Sequence, residues 1–200
     1  GRCVRLYTQH DHDTRPLQDV PEVRRLDLAD PLLLLAASGV RVDELGWLEP
    51  ALAAAVEAAR ALLGRLGAID DRDGITALGR LMMRFPLHPR QARLVVEAEA
   101  RGVGREGCVV AALIGERDLV WQRPRRAELN GDSDLLADLD RFREASRGGL
   151  HPDRARSLGL DVGAALTIDR VRRQLEPLVE RGRPAGDPDV ALRQSILAGY

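Results

Sequence analysis

From residue 21 onward the chain is cut at short intervals by proline and glycine, and between the cuts apolar residues recur three and four positions apart. That spacing is the signature of short amphipathic helices, and the cuts keep any one of them from growing long. Asp30-Pro31 reads as an N-cap followed by proline at the first helical position, and Gly39 as the terminator, giving a helix over 28–38. Pro50 opens a second helix over 51–66, in which Leu52, Val56, Ala59, Leu62, Leu63 and Leu66 share a face and Gly67 ends it. Residues 68–76 read as a very short hairpin around Asp71-Arg72-Asp73-Gly74, and 77–84 as a third helix stopped by Pro86. Helix, helix, hairpin and helix in this order fit a winged-helix module. After Pro86 and Pro89 only helical patterns remain, over 90–101, 106–115, 133–146, a short one after Pro152, 162–181 and 187–198. The expected fold is mainly α: a winged-helix domain with a small β-hairpin, followed by an all-α helical bundle. Ahead of both, residues 1–8 alternate like an edge strand of a sheet that lies outside the chain, and 9–18 read as a solvated polar loop.

All 30 basic residues are arginine; there is no lysine. A phosphate-binding loop of the P-loop type needs its lysine, as do Schiff-base chemistry and the kinase phosphate clamp, so these are excluded within the chain. The serines lie in no GxSxG elbow, and Cys3 and Cys108 have neither a CxxC partner nor a defined base. No catalytic site and no metal site is therefore expected here. Two isolated cysteines also suit a reducing, cytoplasmic setting. The longest apolar run, 31–37, is too short to span a bilayer. Acids and bases balance at a net charge of −1, so nucleic-acid binding would require a local patch.

Several constellations have both a functional and a plain reading. His10-Asp11-His12-Asp13 is the most metal-like string, but its ligands need others from elsewhere, and a polar loop is the better reading. Asp70-Asp71-Arg72-Asp73-Gly74 lacks the closing glutamate of a calcium loop and reads as a turn. Arg117, Arg123, Arg125 and Arg126 surround Trp121, joining guanidinium forks to a stacking surface suited to single-stranded nucleic acid. Arg80, Arg84 and Arg90 form a second group. A third, Arg170, Arg172 and Arg173, has Asp169 and Glu176 at helical spacing and is expected to pair with them. Trp47, between Leu45 and Leu48, reads as core.

A set of ordered motifs resembles one family. Residues 1–8 look like the strand leaving the second motor domain of DEAH-box helicases, and Pro21-Glu22-Val23-Arg24-Arg25 like the entry into their winged-helix domain. Trp47-Leu48-Glu49-Pro50, Leu66-Gly67-Ala68-Ile69-Asp70, Thr76-Ala77-Leu78-Gly79-Arg80 and Phe85-Pro86-Leu87-His88-Pro89-Arg90 are similar to that family's FLDPP, LGALD, LT-LG and FPLDP stretches. His88, Gly115-Glu116-Arg117-Asp118-Leu119 and the closing Leu197-Ala198-Gly199-Tyr200 resemble the bacterial HrpB branch. The resemblance implies the end of a RecA-like motor domain and linker over 1–20, a winged helix over 21–88 and a helical ratchet-like (HA2) domain over 89–200. It implies an accessory region that helps enclose single-stranded RNA or DNA and couples motor motion to translocation. Its partners would be that strand and the upstream motor domains, which would hold ATP and Mg2+; none of that cofactor chemistry falls in this chain, and no membrane partner is implied. The strand-contacting residues expected are Arg117 and Arg123, then Arg90, Arg125 and Trp121. The rival expectation is a stand-alone winged-helix regulator or a protein-interaction module, the former requiring a solvent-facing basic recognition helix over 77–84.

Overall fold

The computed structural model describes residues 1–16, 20–116, 119–120 and 134–200. Among these the α-helices are α1 (Gln9–Asp13), α2 (Ala29–Ser38), α3 (Ala53–Arg65), α4 (Ala77–Met82), α5 (Pro89–Ala100), α6 (Gly104–Gly115), α7 (Asp134–Arg147), α8 (Pro152–Ser157), α9 (Val162–Leu175) and α10 (Pro188–Gly199). The chain is mainly helical, as its punctuation predicts.

The helix ends follow local chemistry, with some corrections. α2 begins at Ala29 because the Asp27 carboxylate accepts from the Ala29 amide at 2.7 Å; Asp27, not Asp30, is the capping acid. Gly39 ends the helix in the left-handed region at φ 71°, as expected. α9 stops at Leu175 instead of running to 181, and a 3-10 turn over Glu176–Leu178 follows. Pro177 accounts for this, having no N–H to continue the ladder. The stretch expected to be a polar loop contains α1, which Thr8 caps by accepting from the Asp11 amide at 3.1 Å.

The expected hairpin contracts to one antiparallel bridge between Ile69 and Ile75, without a strand ladder. The Asp70 carboxylate accepts from the amides of Arg72 (2.9 Å) and Gly74 (2.8 Å), and Asp73 takes φ 61°. Those two amide bonds tighten the turn at the bridge's own ends, and they hold the Asp70 pKa below its usual value. Thr76 then joins wing to helix: its hydroxyl donates to the Gly67 carbonyl and accepts from the Gly79 amide, capping α4.

Two further expectations fail. Residues 1–8 form no strand among the described residues; Leu6 is 95% exposed, and without a neighbouring edge an extended segment has no ladder to join. Trp47 is exposed rather than core, its indole N–H donating to the Val42 carbonyl at 2.9 Å.

The packing centre is α6, which touches α5, α7, α9 and α10. Gly104 and every residue of 107–113 in it are buried, so it is apolar all round, as a central helix must be. Cys108 lies on it; burial first, then the charges of Glu176, Glu99 and Glu106, push its thiol up to about 12, leaving it protonated and unreactive. Gly102 turns the chain between α5 and α6 at φ 76°, where a Cβ would strike the backbone of Arg183 and Pro184. That glycine lets the loop ahead of α10 close against the start of α6.

Candidate nucleic-acid interface

Arg117, Arg123, Arg125, Arg126 and Trp121 lie outside the described residues, between the end of α6 and the start of α7. The remaining sequence-designated arginines divide by what they touch. Arg90 is half-buried: its guanidinium donates to the Gly199 carbonyl at 3.2 Å and lies over the Tyr200 ring at 5.5 Å, holding α10 to α5. Burial raises the Tyr200 pKa and the Arg90 charge opposes that rise. Arg84 grips both carboxylate oxygens of Glu99 (3.1 and 3.3 Å) and donates to the Leu178 carbonyl. Although exposed, its guanidinium is engaged by the bundle, and α4 is only six residues long, so the free basic face that a recognition helix needs is reduced to Arg80.

The late arginines pair as their spacing predicts. Arg172 bridges Asp169 and Glu176, both at 2.6 Å, and Arg173 reaches the other oxygen of Asp169 at 2.8 Å. Burial alone would lower the Arg172 pKa, but the two carboxylates outweigh it and raise the value. Asp169 is the one buried charged residue among the described residues, and these two guanidiniums account for it. The His10–Asp13 string is likewise occupied locally, with Arg5 against His12 at 2.9 Å and Gln9 donating to Asp13. Among the described residues no group of three or more His, Cys, Asp or Glu is placed to hold a metal.

A different set of cations converges where α6 starts. Two adjoining cavities, about 410 and 460 Å3, share Arg105 and Glu106. One is bounded by the glycine-rich turns at Gly102 and Gly182 and carries Arg181; the other lies between α6, α7 and α9 and carries Arg143, Ser146, Arg147 and Arg172. Arg105 and Arg181 have no carboxylate partner among the described residues. Arg143 is loosely held, 3.4 Å from Asp140 and 3.9 Å from Glu106. The Ser146 hydroxyl oxygen is buried without a hydrogen-bond partner among the described residues, an arrangement that costs about 1–3 kcal/mol when nothing else satisfies it.

Sequence reasoning passed over this set because its members come from three distant segments. One local signal exists. Arg105 sits in the first turn of α6, where a cation opposes the helix dipole by about 0.3–1 kcal/mol and no side chain caps the helix.

Comparison with known proteins bears on the same architecture. Residues 59–87 match the winged-helix helicase-associated domain (HA2) family, spanning most of α3, the wing and α4. The pre-mRNA-splicing factor ATP-dependent RNA helicase prp22 of Schizosaccharomyces pombe is 30% identical over 134 residues, covering 66% of this chain and 11% of that protein. The chloroplastic ATP-dependent RNA helicase DEAH12 of Arabidopsis thaliana is 31% identical over 153 residues, covering 74% of this chain and 8% of that protein. The chain resembles the HA2 region of DEAH-box RNA helicases. The probable ATP-dependent RNA helicase DHX35 of Homo sapiens extends the likeness to 100% of the chain, at 28% identity. The chain spans 31% of that relative's length, so the HA2-like stretch corresponds to a minor part of each protein. No helix among the described residues is long and apolar enough to cross a membrane.

Proposed function

We propose that this chain is the accessory C-terminal region of an ATP-dependent helicase, helping to enclose a single strand of RNA or DNA and coupling motor motion to translocation. The observation that carries the reading is the HA2-like wing and α4, continued by a helical bundle along which a relative named as an RNA helicase aligns from end to end. Within it, residues 1–20 correspond to the end of a RecA-like motor domain and linker, 21–88 to the winged helix and 89–200 to the ratchet-like bundle. ATP and Mg2+ belong to motor domains outside these residues, and the setting is cytoplasmic. His88 and the run Gly115-Glu116-Arg117-Asp118-Leu119 support the HrpB type within the family.

The structure favours a hinge over a stand-alone regulator. Arg84 is spent on Glu99 and the Leu178 carbonyl, so α4 is tied to the bundle, and the Asp27–His88 contact at 3.4 Å joins the start of α2 to the start of α5. A hinge of this kind transmits motion as a rigid body. The residues proposed to contact the strand are Arg117 and Arg123 first, then Arg90, Arg125 and Trp121. Replacing Arg117 and Arg123 by alanine in the complete helicase should weaken single-strand binding and flatten its salt dependence by about 1.4, the loss of two phosphate contacts. Unchanged binding across a salt titration would count against the assignment.

A further inference from the structure

We infer a second strand contact: the paired cavities at the start of α6, lined by α6, α7, α9 and the turns at Gly102 and Gly182, form a phosphate-binding groove. This rests on the strand-enclosing role proposed above and adds a place and a chemistry to it. About half of the described arginines have a carboxylate partner; Arg105 and Arg181, which share one cavity, have none among the described residues, and Arg143 has only long contacts. Glu106 and Glu180 lie in the same cavities, so carboxylates are at hand, yet neither closes on Arg105 or Arg181. Glu176 is held by Arg172.

The groove thus presents the Arg105 and Arg181 forks without a matched carboxylate among the described residues, beside a helix start that no side chain caps. Forked N–H donors and helix-end amides match the oxygens of a phosphodiester. The aromatic that lines the groove, Phe142, is only 1% exposed, so bases have no ring to stack on there among the described residues. Contact is therefore to the backbone and indifferent to base identity, in contrast to a site built around Trp121.

The test is fluorescence anisotropy of oligothymidylate and oligoadenylate binding to the chain across a salt series, with Arg105→Ala/Arg181→Ala and Arg105→Lys alongside, and thermal melts to confirm folding. The double variant should bind both strands about tenfold more weakly at low salt and lose about 1.4 from the salt slope, whereas Arg105→Lys should keep most of the slope. Unchanged affinity and slope in the double variant, with the parent chain binding normally, would overturn the groove and leave the helicase reading standing. If the parent chain binds no strand, both fall. Binding of inorganic phosphate followed by calorimetry and lost in the double variant, without strand binding, would assign the groove to a free anion instead. If the double variant melts early, Arg105→Lys decides: lost slope with the charge retained overturns the proposal.

Discussion

Two concavities on this molecule are rimmed with arginine, and they differ in what surrounds the guanidiniums. Beneath the wing, a hollow of about 160 Å3 carries Arg41, Arg60 and Arg72 over an apolar floor. Arg41 is bound to Asp43 at 3.1 Å, and Arg60 to Glu57 at 2.8 Å and Asp73 at 3.0 Å, leaving Arg72 as the rim cation with no carboxylate partner among the described residues. At the start of α6, Arg105 and Arg181 have no carboxylate partner among the described residues and Arg143 is loosely held, whereas Arg147 is bound to Glu144 at 3.2 Å and Arg172 is fully engaged. Arginine content marks neither as a binding surface. What separates them is whether the fold supplies each guanidinium with its own anion, because an engaged fork has little left to offer a phosphate.

The largest expected effect tests the scaffold of the second hollow. Phe142→Ala removes a buried ring from α7 and should cost about 3–5 kcal/mol by urea denaturation, since the cavity it leaves is only partly refilled. Strand binding should fall with it, because α7 carries Arg143 and Arg147.

Asp169→Asn sharpens the comparison by releasing Arg173 and leaving Arg172 with Glu176 as its one carboxylate among the described residues. It withdraws the carboxylate that Arg172 and Arg173 share, and stability should drop by about 2 kcal/mol. Strand affinity should hold or rise and the salt slope steepen, because Arg172 already lines the groove. A parallel fall in stability and affinity would show that Arg172 belongs to the fold alone.

A smaller effect is expected at the wing, where acid should imitate a mutation. The Arg41 hydrogen bond holds the Asp43 carboxyl below its ordinary value of 3.8. A depressed folded pKa means that the contribution is fully present above 3.8 and is lost as pH falls through the lower folded value. Asp43→Asn should therefore flatten that part of the acid limb in melts followed against pH, with no change at neutral pH in strand binding.

The smallest stability effect belongs to Arg105→Ala, which has no carboxylate partner among the described residues and should leave the unfolding free energy within about 0.5 kcal/mol of the parent. The pairing of negligible stability loss with a clear binding loss is what distinguishes it from Asp169→Asn.

The helices were legible because proline and glycine mark their ends: α3, α5, α6, α7 and α10 fall within a few residues of the sequence reading. What escaped were features decided by a partner. Thr8 captures the Asp11 amide and converts a polar stretch into α1; the wing keeps one bridge because the Asp70 carboxylate draws the turn in; Trp47 satisfies its N–H on a nearby carbonyl and stays at the surface. The i,i+3 and i,i+4 pairs of Arg172 and Arg173 were readable from spacing, being local. Arg84 with Glu99, fifteen residues apart, was not, and the unpaired state of Arg105 is a property of the whole arrangement around it.

The most direct test of the central claim is to photo-crosslink a 4-thiouridine single strand to the chain and identify the attached peptides. The account predicts crosslinks in peptides holding residues 102–106 and 143–147 and in those spanning 117–126, with none at the wing hollow of Arg41 and Arg60. Crosslinks confined to α2, α3 and the wing would contradict it.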